Sequence, residues 1–364
     1  MFKKVKEPGN LFIQSYLGDM SGVGTIRVII PYLLLNNYKH NNVSFTTSFN
    51  QFFISDPSHY KNTAWVQFQR SATEQHLKII KFFKKYIQTS VNNKFTPVIY
   101  EIDDLLTDIP VWNIAHEYYK KNFKYIEEML SIVDGISVST EPLKDIYKKY
   151  NKNVIVIPNR LPKFIWDKPN EIKEHDGKIR IYWGGSGNHF AHKTMIDKGI
   201  KGGDFGNTLL NFIIKTRNLY QWIFCGSLPP ELEKYKNDIK CYNWTSTLSY
   251  PNFLKSLNID IGIAPLEDNL FNKCKSNIKV LEYCGAGFPG IYSNVYPYKD
   301  CHCIANNDEE MISKIEELSS DIDKRVNTYN MDRNRIGGEL YWENNKNLSK
   351  YINSYLSMFE LTLP

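Results

Sequence analysis

Lys275, Ser276, Lys279 and Glu282 are the residues whose types and spacing most directly suggest chemistry. On a helix, Lys275, Lys279 and Glu282 share one face, with two cations near its start and a carboxylate two turns in, while Ile278 and Leu281 turn toward an apolar neighbour. The spacing predicts a helix that opens near Ser276, whose hydroxyl, with Asn277 beside it, can cap free backbone N–H groups. Such a helix start attracts phosphate, and a carboxylate further along can accept hydrogen bonds from two adjacent hydroxyls. The division suits a nucleoside diphosphate, with its phosphates on Ser276 and the lysines and its ribose on Glu282. Spacing alone equally allows a solvated face carrying an i,i+3 Lys279–Glu282 pair.

Three other constellations can take part. Gly184-Gly185-Ser186-Gly187-Asn188-His189 follows an apolar strand, and small residues there, Gly185 and Ser186 foremost, let backbone N–H groups approach phosphate. The polar stretch beyond it brings Lys193, which reads as a phosphate contact or as a solvated lysine. Glu101-Ile102-Asp103-Asp104 ends a strand, so Asp103 and Asp104 can bind hydroxyls, act as a base or hold a metal, unless an Asp simply caps the next helix. Gly18 to Gly24 joins the first strand to a helix carrying Arg27, a candidate to neutralise phosphate. The order Gly18-x-x-x-Gly22-x-Gly24 is not the dinucleotide fingerprint, which disfavours a dehydrogenase.

These residues need elements to hold them, and 364 residues suit two α/β domains. Strand-like LFIQSYL, AWVQFQ, PVIYEID, GISVST and NVIVIPN alternate with amphipathic helical stretches, a pattern that favours a parallel sheet wrapped by helices. A polar stretch with two prolines follows, and then KIRIYW, QWIFCG, DIGIAPL and PGIYS repeat the alternation. The expected organisation is a first domain over 1–162, a linker over 163–178, a second domain over 179–335 and closing helices over 336–364 that pack back on the first. Ligands of such sheets bind at the carboxyl ends of the strands, so the site is expected in a cleft built from loops of both halves.

Composition narrows the classes. No stretch approaches a membrane span, and the lysine-bearing start lacks a signal-peptide apolar region, which predicts a soluble cytoplasmic protein. The six cysteines match neither a zinc-knuckle nor a disulfide framework; no metal is expected, and Cys301-His302-Cys303 lacks a second ligand pair. The first 160 residues carry 20 Lys+Arg against 14 Asp+Glu and the remainder 25 of each, so the whole net charge of +6 belongs to the first half.

The run from Ala264 to Tyr298, with Ala-Pro-Leu, Phe-Asn, Lys-Ser-x-x-Lys, Leu-Glu-Tyr, Gly-x-Pro and Tyr-Pro-Tyr, resembles the donor-binding region of GT-B glycosyltransferases, in particular the retaining glycogen synthase-like and lipopolysaccharide group. The resemblance implies a GT-B fold of two Rossmann-like domains and a UDP-sugar donor whose ribose sits on Glu282. The Glu that the group carries eight positions earlier is Cys274 here, which leaves the contact to the donor sugar open. It further implies that Ser227 and Trp244 hold the base, although Trp244 is also a core residue by type, and that Gly22, Val23 and Gly24 face the acceptor. Over most of its length the chain is similar to glycosyltransferases of T-even-like phages, where Asp-Asp recurs at the place of Asp103 and Asp104. With the basic first half, including Lys84 and Lys85 beside Phe82, Phe83 and Tyr86, this points to DNA carrying 5-hydroxymethylcytosine as acceptor and arabinose or glucose as sugar, in a monomeric enzyme of the host cytoplasm. The other readings are transfer to a polysaccharide, lipid-linked glycan or protein, and a non-catalytic glycan- or DNA-binding module.

Overall fold

The computed structural model of the chain describes residues 10–41, 43–90, 95–175, 177–344 and 346–360, so the lysines before residue 10 lie outside the described residues. The chain forms two compact units. The first gathers the residues up to Thr107, Tyr119–Asn159 and the chain from Trp342 onward; the second is Asp108–Tyr118 with Arg160–Tyr341.

The first unit is built on β1 (Asn10–Leu17), β2 (Lys39–His40), β3 (Val43–Asn50), β4 (Thr63–Gln69), β5 (Val98–Ile102), β6 (Gly135–Val138) and β7 (Val154–Val156), in the order β2-β3-β1-β4-β5-β6-β7. All neighbours are parallel except β2 and β3. Every residue of β4 and β5 is buried, as a parallel sheet covered on both faces requires. The helical stretch over 22–35 contains a π-turn at Thr25–Ile29 just before Pro31, where the missing N–H would otherwise break the i to i−4 ladder. Helix Asn347–Met358 belongs to this unit: Ile352 is fully buried among Leu35, Trp65 and Ile99, and Tyr355 stacks on Trp65 at 4.9 Å.

The second unit carries β8 (Arg180–Gly185), β9 (Gln221–Gly226), β10 (Lys240–Tyr242), β11 (Ile261–Ala264), β12 (Gly290–Ser293) and β13 (Ile304–Ala305), in the order β10-β9-β8-β11-β12-β13, all parallel. Alternate residues of the inner strands feed two cores. Ile181, Trp183 and Phe224 pack with helices Asn207–Thr216 and Asp308–Ser320, whereas Tyr182, Ile223 and Tyr292 pack with helices Tyr250–Ser256 and Ile278–Ala286.

The structure divides the chain differently from the sequence pattern in two places. Residues 163–178, expected as a linker, are anchored to the second unit: Trp166 is buried with Tyr250 and Leu281, the Asn170 amide N–H donates to the Ala286 carbonyl, and His175 pairs with Asp260. Charge and proline in that stretch hid one buried tryptophan. Residues 108–118, expected inside the first domain, also belong to the second unit, where Trp112 Nε1 donates to Glu267 and Asn113 Nδ2 to the Asn188 carbonyl.

Because Ile352 is fully buried in the core of the first unit, Ile352→Ala should lower its unfolding free energy by about 2–5 kcal/mol, read as a drop in urea midpoint for that unit's transition.

Candidate functional site

In the second unit, helix Ile278–Ala286 starts two residues beyond the expected position, with Asn277 at the N-cap and no side-chain cap. Ser276 therefore lies in the turn before it. The shift leaves Lys279 and Glu282 on the face toward the carboxyl end of β8. Lys279 is buried, its ammonium donates to the Gly184 carbonyl, and it lies 5.4 Å from the centre of the Trp183 ring. Burial pulls its pKa down to about 8, with Lys275 adding to the fall and Glu282 opposing it. Burial likewise pushes the Glu282 carboxyl up to about 7 against the pull of Lys279, and among the described residues that carboxyl accepts no hydrogen bond. A buried cation and a half-buried carboxyl thus act on each other from one helix face, each near its own titration point.

Glycines let the backbone close around this pair. A Cβ on Gly185 would stand 2.4 Å from the Trp183 ring, and one on Gly226, whose φ is +96°, would stand 2.5 Å from Trp244. The Ser227 N–H donates to the Gly185 carbonyl at 3.1 Å, which ties the ends of β8 and β9 together. Trp244 lies over Gly226 with 56% of its surface exposed, an aromatic face open to a planar partner and not a core residue. Behind the loop, buried Asp204 accepts from His189 Nδ1 at 2.6 Å, from Asn272 Nδ2 at 2.6 Å and from the Glu267 N–H at 3.0 Å. Among the described residues no group of three His, Cys, Asp or Glu side chains is arranged to hold a metal ion, and no helix is long and apolar enough to cross a membrane.

In the first unit, the carboxyl ends of β4 and β5 bring together Arg70, Asp103 and Asp104. Arg70 Nε lies 2.8 Å from Asp103 Oδ1, an ion pair too poorly angled for a hydrogen bond, while its Nη2 donates to Asp104 Oδ2 at 2.5 Å. Burial raises the Asp103 pKa to about 7; Arg70 pulls it down, and Asp104 and Glu101 add to the rise. Gly18, at the end of β1, allows the loop over 18–24 to pass over β4: its N–H donates to Gln69 Oε1 at 3.0 Å, and a Cβ would meet the Gln69 carbonyl at 2.6 Å. Gly24 is equally constrained, with a Cβ 2.1 Å from the Asp19 carbonyl, whereas Gly22 faces open space and Val23 beside it is half-buried.

No protein-family model matches the chain, and no curated protein matches it. Solved structures do. The apo form of the lipopolysaccharide outer core galactosyltransferase WaaB aligns over 96% of this chain and 99% of its own, with TM-score 0.52 and 12% identity. A T4 phage BGT mutant in complex with UDP-glucose aligns over 97% and 99%, with TM-score 0.51 and 13% identity. A trehalose 6-phosphate synthase from Burkholderia multivorans aligns over 96% and 98%, with TM-score 0.53 and 9% identity. The chain has the GT-B fold.

Within this GT-B chain, Gly185 ends β8, Ser186, Ser227 and Trp244 lie just beyond the carboxyl ends of β8, β9 and β10, Lys275, Ser276 and Asn277 precede helix Ile278–Ala286 in the segment after β11, and Lys279 and Glu282 lie on that helix. Lys193 is exposed in the short helix Lys193–Ile196 that follows the glycine-rich loop. Arg27 is a correction: it is buried, with Nε 2.6 Å from Glu101 Oε1 and Nη1 donating to the Ile157 carbonyl and Asn159 Oδ1, so its charge is already used inside the fold. Lys84 and Lys85 are a second correction. Helix Glu74–Tyr86 returns from the carboxyl end of β4, so its last turn lies at the other end of the sheet from Asp103. There Lys84 pairs with Asp134 at 2.5 Å, and Lys85 rests on the Tyr86 ring. Sequence reasoning assigns no individual role to Arg70, His189 or Asp204. The signal for Arg70 was its place directly after the strand AWVQFQ, and for His189 and Asp204 the long polar loop they bracket.

Removing Arg70 leaves two neighbouring carboxylates partly buried without their cation. Arg70→Met should therefore destabilise the first unit by roughly 3 kcal/mol at pH 8. Arg70 holds the Asp103 pKa down to about 7, so without it the carboxyl takes up its proton at higher pH than in the native chain, and the loss should be smaller at pH 5.5, where both are protonated, than at pH 8. Chemical denaturation of both proteins at pH 5.5 and pH 8 measures the difference.

Proposed function

We propose that the chain is a glycosyltransferase that moves a sugar from a UDP-sugar to a hydroxyl acceptor. The observation that carries this reading is buried Lys279 at the glycine-lined end of β8, with the half-buried Glu282 carboxyl on the same helix face. In this reading Lys279, Lys275 and the N–H groups of the Gly185 and Ser276 turns receive the diphosphate. Glu282, whose carboxyl is otherwise without a hydrogen bond among the described residues, takes the ribose hydroxyls. Ser227 and the exposed face of Trp244 take the base. Fixed dipoles and a cation aimed at the leaving diphosphate lower the barrier by stabilising charge that develops there.

In the transfer the bond from the sugar C1 to the diphosphate oxygen breaks, and its electron pair stays on the diphosphate. A new bond forms from C1 to the acceptor oxygen, and the hydroxyl proton passes to a base. Asp103 suits that role: a pKa near 7 matches a base working at neutral pH, and Arg70 orients it while Asp104 shares the cation. The GT-B fold and the UDP-glucose complex of the T4 phage relative support a UDP donor.

The favoured acceptor is 5-hydroxymethylcytosine in DNA, with arabinose or glucose transferred, in keeping with the excess of basic residues in the first 160 positions. One observation favours a second reading, transfer to a glycan or protein: Lys78, Lys81 and Lys84 are each already paired with a carboxylate, Glu74, Glu128 and Asp134.

Incubation with a panel of UDP-sugars and hydroxymethylated DNA, followed by mass analysis of the digested nucleosides, should show a gain of one pentose or hexose. UDP-sugar hydrolysis without any shift would transfer support to the glycan or protein acceptor. Glu282→Ala should weaken UDP-sugar binding tenfold or more, and Asp103→Ala should lower kcat with donor affinity kept; full transfer by both variants would overturn the assignments. The pH dependence follows from the same pair. Binding needs Glu282 as carboxylate and Lys279 as ammonium, so donor affinity should rise as pH passes about 7 and fall beyond about 8. Glu282→Gln should abolish the lower limb in a titration of Kd against pH.

A further inference from the structure

The loop after β8 holds a polar group, His189, that the donor reading leaves unused. His189 is largely buried, with 12% of its side chain exposed, and is fixed on three sides. Its ring meets Trp183 edge to face at 5.5 Å, its Cδ2 lies 3.0 Å from where a Gly185 Cβ would stand, and its Nδ1 lies 2.6 Å from Asp204 Oδ2. Asp204 is fixed in turn, because its other oxygen accepts from the Glu267 N–H and from Asn272 Nδ2. A carboxylate so placed can only accept from the imidazole, so Nδ1 carries the proton of the neutral ring and Nε2 carries a lone pair. Among the described residues Nε2 has no hydrogen-bond partner.

We propose that the His189 Nε2 lone pair accepts a hydroxyl of the donor's sugar ring, so that the His189–Asp204 pair reads the transferred sugar. The inference rests on the donor-site reading above and deepens it. The charged groups around the ring are Asp204 on one side and Lys275 and Lys279 on the other. Burial first, and then the two lysines, outweigh Asp204 and hold the imidazolium form down to a pKa of about 4. A ring kept neutral with its lone pair turned outward repels phosphate oxygen and needs a proton donor. In a UDP-sugar the proton donors are the ribose hydroxyls, the uracil N–H and the sugar hydroxyls. With the ribose on Glu282 and the base on Trp244, the sugar hydroxyls remain. This also supplies a polar contact in a chain that carries Cys274, fully buried, where the resembled group carries a glutamate.

Calorimetric binding of UDP and of UDP-glucose, UDP-galactose, UDP-xylose and UDP-arabinose to the full chain tests this. For whichever UDP-sugar binds tightest, His189→Leu should weaken binding about fivefold to tenfold while leaving UDP unchanged. His189→Gln, whose Oε1 can accept the same hydroxyl, should restore part of the loss. UDP affinity serves as the control for an intact fold. Titration in two buffers of different ionisation enthalpy should show no His189-dependent proton uptake, since the diphosphate of a UDP-sugar does not titrate near neutral pH. Equal losses for UDP and UDP-sugar, no loss for either, or proton uptake that vanishes in His189→Gln would overturn the proposal, the last by making His189 a phosphate-facing cation. A native chain that binds neither UDP nor any UDP-sugar would remove the donor reading itself, a result distinct from each of these.

Discussion

An ammonium held out of water next to a carboxyl is the constraint around which the second unit is arranged. Burying Lys279 has a desolvation cost that only close partners offset: the Gly184 carbonyl, the face of Trp183 and the nearby Glu282. Each partner places its own demand on the sequence. The carbonyl is reachable because β8 ends in two glycines, Trp183 must stay packed between Phe205 and Phe224, and Glu282 must face Lys279 across less than one helical turn. An arrangement of this kind is weak evidence for stability, since apolar residues would pack there at lower cost. Its value lies in charge that is already oriented and poorly screened where a ligand arrives.

The first unit uses buried polarity differently. Arg27 and Glu101 neutralise each other beneath the carboxyl edge of the sheet, and Gln14, Gln67 and Gln69 are buried in the strands beside them. Above that layer Arg70 is shared by two aspartates. Burial first, and then Asp104 and Glu101, keep Asp103 easier to protonate than an ordinary surface aspartate against the pull of Arg70 and Arg27. The number of nearby opposite charges, as well as burial itself, sets the working range of the carboxyl.

Much of this was legible in the sequence, because period and spacing are local. Alternating apolar strands and amphipathic helices pointed to both sheets, parallel but for the short β2 at the edge of the first, and the i, i+3 relation of Lys279 to Glu282 placed them on one face whatever the exact start of the helix. Contacts between distant segments were not legible. Arg27 looked free because Glu101 stands 74 residues away, and Lys84 because Asp134 stands 50 away. His189 and Asp204 are only 15 apart, yet the intervening loop has no period that would bring them together. The stretch over 163–178 read as a linker because charge and proline outweighed the tryptophan that anchors it.

The placement of residues 108–118 has a consequence for how such a protein can be recombined. The chain passes from one unit to the other after Thr107, Tyr118, Asn159 and Tyr341, so neither unit is a single uninterrupted stretch of gene. A hybrid joined at one point near residue 160 would take Trp112 and Asn113 from one parent and their partners Glu267 and Asn188 from the other. It would likewise separate the helix Asn347–Met358 from the core it completes. Inheritance of either half as an independent module therefore requires three segments to travel together for the first unit and two for the second.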